Sequence, residues 1–451
     1  MNRLLSSFFL SYCLFIFFSL FLFYIKFVFG NLFFIDIVQF NWMNLKFFFL
    51  YDSISSFFVI LSLFLLLICI FISWYLSYFS YIYYFCILFC MICLFNIFLT
   101  IDIFILFCFF EAIVMPLFLI VGIWGSRDRK ILASYMLFIY TMFGSIFALF
   151  VFIFLYLNSG SSNFIFFSDF INYLNLEVLF FLLLFFGFCV KVPIVPFHIW
   201  LPEAHVEAPT AGSVILAGII LKLGFYVYIR LIVFNLYDIM SFFISFIFMI
   251  AFISLYLSSF SALAQVDMKK IIAYSSISHM NFSLIGLFCM NIISIIGSFF
   301  MMFAHAIVSS ALFSSIGILY DRYKTRLLFY YGGLVLLMPL FSTFFFVFIL
   351  GNFGMPGTIN FVGEFFIFLG IFFYNNFMIF FSLFGLFLTL VYSLFIYSRI
   401  INGLIRVFFI RFYSDYSRRE YIYMFVFFFF TIYFGIFPNV LFDYSFSSFY
   451  F

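Results

Sequence analysis

Apolar residues run along this chain in stretches of helical length, separated by short polar breaks, from one end to the other. A helix needs about 20 apolar residues to cross roughly 30 Å of hydrocarbon. Marking such stretches predicts thirteen crossings, near 4–29, 52–73, 81–100, 102–123, 131–157, 177–204, 209–234, 240–260, 270–291, 294–320, 339–374, 377–402 and 420–441. A closed barrel is the other spanning solution, but its signal is short alternating strands, whereas residues 57–73 are almost continuously apolar. The predicted fold class is an all-α polytopic membrane protein with one membrane domain.

Two of the predicted crossings are too long and too punctuated for simple helices. One carries Pro193, Pro196 and Pro202; the other carries the run GNFGMPG at 351–357. Both are expected to be broken helices. Non-helical backbone at membrane depth persists only where protein or a water-filled cavity satisfies its hydrogen bonds. Paired interruptions in two halves of a chain also point to inverted repeats of the transporter kind; ordinary proline kinks are the plainer alternative. The expected division is N-terminal helices over 1–100, a first repeat over 102–234, a second over 240–402, and a C-terminal loop and last helix over 403–451.

Charge tests this topology independently, because Lys and Arg collect in loops on one side of a membrane. With thirteen crossings, the side of the N-terminus holds Arg3, Arg127, Arg129, Lys130, Lys269, Lys270, Arg322, Lys324, Arg326, Arg399, Arg406, Arg411, Arg418 and Arg419, fourteen of the nineteen basic residues. The other side keeps Lys26, Lys46 and Arg230, while Lys191 and Lys222 fall inside helices. The N-terminus is therefore expected in the matrix or cytoplasm and the C-terminus on the opposite face.

Composition agrees: 69% of the residues are hydrophobic and 8% charged, more apolar surface than one water-soluble core could hide. A net charge of +3 spread over short loops gives nucleic acid nothing to bind. Cys86, Cys90 and Cys93 fall at helical spacing. They lie in an apolar span without nearby histidine or carboxylate, so packing explains them better than a metal site. Residues 1–30 are expected to be a retained first helix, since their apolar run is longer than a signal-peptide core and ends without an Ala-x-Ala-like site. Phenylalanine supplies 92 residues, a bias expected of a very A+T-rich, organelle-encoded gene.

Against this background the ionisable residues well inside apolar spans stand out: Glu111, Lys191, Lys222, His279, His305 and Glu364. An intramembrane charge costs at least about 2.5–3.5 kcal/mol. Lysine shifts its pKa readily when buried and histidine titrates near neutrality, so the set is suited to a proton relay. Structural ion pairs, or side chains that snorkel to the headgroups, are the plainer alternative. Lys191 lies at the first proline break and Lys222 in the middle of the next helix, while Glu364 follows the second break by seven residues.

Several long segments carry a family resemblance: KVPIVPFHIWLPEAHVEAPTAGS at 191–213, LAGIILKLG at 216–224, LAQVDMKKIIAYSSISHM at 263–280, AHA at 304–306 and GMPGTINFVGE at 354–364. From about residue 50 to the C-terminus the chain resembles the antiporter-like subunits of respiratory complex I, in particular their subunit 4 branch. The resemblance implies that Glu111, in FEAIVMP at 110–116, pairs with Lys191 to gate proton movement. It makes Lys222 the central lysine, with His279 and His305 continuing a hydrated path and Glu364 the terminal carboxylate near the exit side. Subunits 2 and 5 of that complex generally carry lysine at the last position, so the glutamate favours the subunit 4 branch. In one departure, the family commonly has a further helix before the one predicted at 4–29.

What the resemblance implies is a proton-translocating, non-redox subunit of NADH:ubiquinone reductase, multi-pass in the mitochondrial inner membrane with its N-terminus in the matrix. The chain shows no cluster-ligand set, flavin fingerprint or nucleotide loop. NAD, FMN, iron–sulfur clusters and ubiquinone are accordingly expected in other subunits. Expected partners are antiporter-like subunits 2 and 5, accessory subunits and phospholipids such as cardiolipin. Two alternatives remain at this point: the D-type subunit of a multisubunit sodium/proton antiporter, which also resembles this pattern and has glutamate at the last site, and a purely structural membrane arm.

Overall fold

The computed structural model describes residues 36–42, 45–75, 78–160, 162–164, 176–405 and 413–442. The helix expected over 4–29 lies outside the described residues. The first described element is one the apolar runs do not predict, a hairpin of β1 (Asp36–Trp42) and β2 (Leu45–Tyr51), antiparallel from Asp36↔Tyr51 to Trp42↔Leu45. The sequence of β1 alternates through Val38, Gln39, Phe40, Asn41 and Trp42, the period of a strand rather than a helix. Strands of seven residues are too short to register as apolar runs of membrane length.

Among the described residues after Tyr51, the regular elements are all helical. The elements are α1 (Ser53–Ile72), α2 (Ser80–Leu99), α3 (Ile103–Ala112), α4 (Val114–Trp124), α5 (Lys130–Ser159), α6 (Glu177–Cys189), α7 (Trp200–Glu207) and α8 (Thr210–Val233). They continue with α9 (Tyr237–Ala264), α10 (Met268–Phe288), α11 (Ile292–Tyr323), α12 (Pro339–Asn352), α13 (Ile359–Tyr374), α14 (Asn376–Ile401) and α15 (Arg418–Ile436). Short one-turn helices at Ser73–Tyr75, Leu328–Tyr330 and Leu334–Leu337 serve as connectors.

Ten helical runs among the described residues are long and apolar enough to cross a membrane, counting α3 and α4 together. Both predicted breaks are present. Helix α6 stops at Cys189 and α7 starts at Trp200, while α12 stops at Asn352 and α13 starts at Ile359. With these two broken helices the structure fills twelve of the thirteen predicted positions. Pro193 and Pro196 lie in the first break, but Pro202 sits in the first turn of α7, where its missing N–H would have had no intrahelical acceptor.

Burial sorts the helices into an inner and an outer set. Helix α8 is buried throughout its length, and α10 and α11 nearly so, whereas α5, α14 and α15 turn much of their surface outward. Apolar side chains such as Phe150, Leu157, Phe380 and Phe387 cover that outer surface, as expected where lipid is the solvent. Without water to drive helices together, close approach of backbones matters. At Gly363 of α13 a side chain would meet the Met301 backbone of α11 at 2.8 Å. Glycine at that site is what lets the two helices touch.

Inter-helix contacts also tie the loops into two ends. At one end Trp124 donates to the Tyr78 carbonyl, the Ser126 N–H to the Glu207 carbonyl, Lys270 to Glu203, and Arg322 to both Ser414 and Glu420. At the other, Arg230 reaches Asp52, the Ile103 N–H the Ser162 carbonyl, and Tyr237 the Met290 carbonyl. Basic residues dominate the first end, as the charge count requires. Arg230 itself belongs to the end of α8 rather than to a loop, and is buried.

Candidate functional site

Six ionisable residues were expected to matter, and the helix breaks position most of them. Glu111 is the last residue but one of α3, beside the turn at Ile113 that separates α3 from α4. Pro116 follows that turn and cannot donate to the Ala112 carbonyl, so the backbone opens there. Lys191 sits just beyond α6, in the first break, and is buried. Its Nζ lies 3.8 Å from Glu111 Oε1, donates to the Phe110 carbonyl at 3.0 Å and rests over the Phe110 ring. The pair is thus charge-coupled without a direct hydrogen bond, and neither Glu111 carboxylate oxygen accepts one among the described residues.

The carbonyls freed by this break are used. Trp200 Nε1 donates to the Val190 carbonyl at 2.9 Å, and Asn281 Nδ2, from α10, to the Pro193 carbonyl at 3.2 Å. Helix α8 crosses the same place at Gly224, where an added Cβ would lie 3.2 Å from Lys191 Cβ. The first break is therefore packed directly against the helix that carries Lys222.

Lys222 is fully buried in α8, between two stretches of π-helix, Leu216–Ile220 and Tyr228–Val233. The wider π turn opens the helix, a geometry that recurs at functional sites. It leaves the Ala217 carbonyl 2.6 Å from Lys222 Nζ. The same Nζ is 2.8 Å from Nδ1 of His305 on α11. An ammonium only donates, so His305 Nδ1 accepts while Lys222 is charged, and the ring proton stands on Nε2. His305 Nε2 has no partner among the described residues.

From His305 the polar groups continue across the core. The His279 ring, on α10, is centred 5.7 Å from the His305 ring, and its Nε2 lies 3.2 Å from Oδ1 of Asn352. Asn352 is the last residue of α12, so the second break begins where the histidines end. Glu364, buried in α13, folds back over that break: a Cβ on Gly354 would fall 1.9 Å from its Oε2. Gly354 has φ +68, so both backbone conformation and the Glu364 carboxylate exclude a side chain. Glu364 Oε1 accepts no hydrogen bond among the described residues.

All six residues are therefore buried or half-buried: Glu111 pairs with Lys191, Lys222 with His305 and His305 with His279, while Glu364 packs against Gly354 in the second break. Other polar residues escaped the sequence pattern. Asn281 and Asn352 are uncharged and gave no signal within apolar runs. Glu207 and Arg326 form a buried pair at 3.5 Å near the basic end, with the buried Lys269 donating to the Ala208 carbonyl beside them. These three read as loop charges because they stand next to predicted helix ends.

Comparison with known proteins places this geometry in a family. Residues 100–391 match the family model described as NADH:quinone oxidoreductase/Mrp antiporter, TM. The NADH-ubiquinone oxidoreductase chain 4 of Acanthamoeba castellanii is 45% identical over 395 residues, covering 85% of this chain and 78% of that protein. Among solved structures, a chain of respiratory complex I from Thermus thermophilus with bound NADH superposes with a TM-score of 0.83 at 20% identity, covering 95% of this chain and 91% of that one. A chain of the Mrp complex from a Dietzia species gives a TM-score of 0.87 at 18% identity, covering 99% of this chain and 92% of that one. The two structural likenesses establish the fold, and the sequence relative establishes the branch: this chain belongs to the NADH-ubiquinone oxidoreductase chain 4 family.

Proposed function

We propose that this chain is the antiporter-like subunit through which NADH:ubiquinone oxidoreductase moves protons across the mitochondrial inner membrane. The observation that carries the reading is the set of buried titratable groups Glu111–Lys191, Lys222–His305–His279 and Glu364, with Asn352 holding His279 and a helix break at each end. Each titratable member would change protonation in turn. Charge on Glu111 favours the ammonium at Lys191, so protonating or moving Glu111 releases it. When Lys222 is charged it donates to His305 Nδ1. Once it is neutral, its lone pair can accept from that nitrogen, so a proton can pass between them with little heavy-atom movement. Glu364 would receive the charge at the far end.

The same reading makes the subunit non-redox, with NAD, FMN, iron–sulfur clusters and ubiquinone held by other subunits and coupling acting at a distance. Its neighbours would be antiporter-like subunits 2 and 5, accessory subunits, and cardiolipin or related anionic phospholipid at the basic end. That basic end, with the N-terminus, would face the matrix. A sodium/proton antiporter shares the fold, but the chain 4 relative at 45% identity supports the respiratory reading. A native gel of mild-detergent membranes, stained for NADH dehydrogenase activity and read by mass spectrometry, tests this. Co-migration with the large NADH-active band is expected; migration in a smaller band without that activity would contradict it.

A further inference from the structure

One buried hydroxyl in the core has no place in the path just described. Tyr392 of α14 is almost completely buried, and its hydroxyl lies 3.2 Å from Oγ of Ser278, the residue before His279 on α10. Helix α14 packs against α12 and α13, which carry Asn352 and Glu364, as well as against α10. Tyr392 thus occupies the corner where α10, the second break and α13 meet. Asn352 holds His279 from that same corner.

The local donors and acceptors are directional. Ser278 Oγ gives its own hydrogen to the Ser275 carbonyl at 2.7 Å, and Ser275 Oγ gives its hydrogen to the Ile272 carbonyl at 2.8 Å. Ser278 is then left to accept, so the phenolic hydrogen rests on it and the phenolic lone pairs stay open to a donor. Glu364 Oε1, without a hydrogen bond among the described residues, is an acceptor awaiting one.

We infer that Tyr392 is a relay residue for the last transfer, between the histidine pair and Glu364; the inference rests on the proton-translocating reading above. A proton leaving His279, carried by water, adds to a phenolic lone pair while the hydroxyl's original proton passes to a Glu364 carboxylate oxygen. One O–H bond forms as another breaks, the phenol is regenerated, and no charge remains on the ring. Rotation of the hydroxyl back to Ser278 resets it.

The test uses the intact complex in sealed vesicles, with Tyr392→Phe compared with Lys222→Met. Two quantities are read: protons translocated per NADH oxidised, and the infrared carbonyl band of protonated Glu364, identified by its loss in Glu364→Gln. Tyr392→Phe keeps the ring and is expected to slow proton translocation at least tenfold and to shift the Glu364 band. Normal translocation in Tyr392→Phe, with loss in Lys222→Met, overturns the role of Tyr392 alone. Normal translocation in both overturns the proton reading with it. Lost translocation with an unmoved band makes Tyr392 a packing residue and overturns the inference too. Should Tyr392→Phe fail to assemble, Ser278→Ala keeps the phenol and removes only its acceptor. A shifted Glu364 band is expected there, and an unchanged one contradicts the relay.

Discussion

Lys222 Nζ lies 2.8 Å from His305 Nδ1, two titratable groups from different helices held in hydrogen-bond contact inside a fully buried helix core. Burying an ammonium costs several kcal/mol unless hydrogen bonds offset it. Here the Ala217 carbonyl and one imidazole nitrogen are what Lys222 has. On the proposed reading, this contact is where the central proton transfer takes place.

At the Glu111–Lys191 pair the charges are coupled at 3.8 Å with no direct hydrogen bond. Glu111→Gln should leave the fold intact but slow proton movement about a hundredfold, the usual size of a lost acid–base group. Removing one partner of a buried pair also destabilises by about 3–5 kcal/mol if the other stays charged. Glu111→Gln combined with Lys191→Met should therefore assemble better than Glu111→Gln alone. Equal thermal stability of the two complexes would show that Lys191 simply loses its proton.

Gly354→Ala is expected to mimic loss of Glu364. The new Cβ would overlap the Glu364 carboxylate, at 1.9 Å from Oε2, and the backbone stands at φ +68. The conformational cost is about 1–2 kcal/mol, small enough for assembly to survive. Proton translocation per NADH should fall as far as in Glu364→Gln. Normal translocation would mean that the carboxylate can move without consequence.

Asp52 and Arg230 make a contrasting pair. Asp52 caps α1, accepting from Ser55 N at 2.9 Å, and also holds Arg230 Nη2 at 2.5 Å. Asp52→Asn keeps a capping side chain but leaves the guanidinium unpaired, at a cost of about 3 kcal/mol. A lower melting temperature with unchanged proton stoichiometry is expected, measured by thermal unfolding of the purified complex. A changed stoichiometry would enlist this pair in the proton path.

How far the sequence could reveal the site depended on the kind of residue. A charge in an apolar run is rare, so Lys191, Lys222 and Glu364 were legible directly, and proline and glycine marked both breaks. Tyr392 was not, because it is one of 31 tyrosines in the chain and only its neighbours distinguish it. Asp52 and Arg230 are 178 residues apart and each borders an apolar run, so their pairing exists only in the folded chain. The π stretches flanking Lys222 left no trace either. The residues between Thr210 and Val233 read as one ordinary apolar helix.

Lys222→Met tests the central claim most directly. Methionine fills the space of the lysine stem without a titratable group, so the complex should assemble and retain NADH dehydrogenase activity. Protons translocated per NADH oxidised, measured in sealed vesicles, should fall clearly below the parent value. Translocation at the parent stoichiometry in the assembled Lys222→Met complex would contradict the relay.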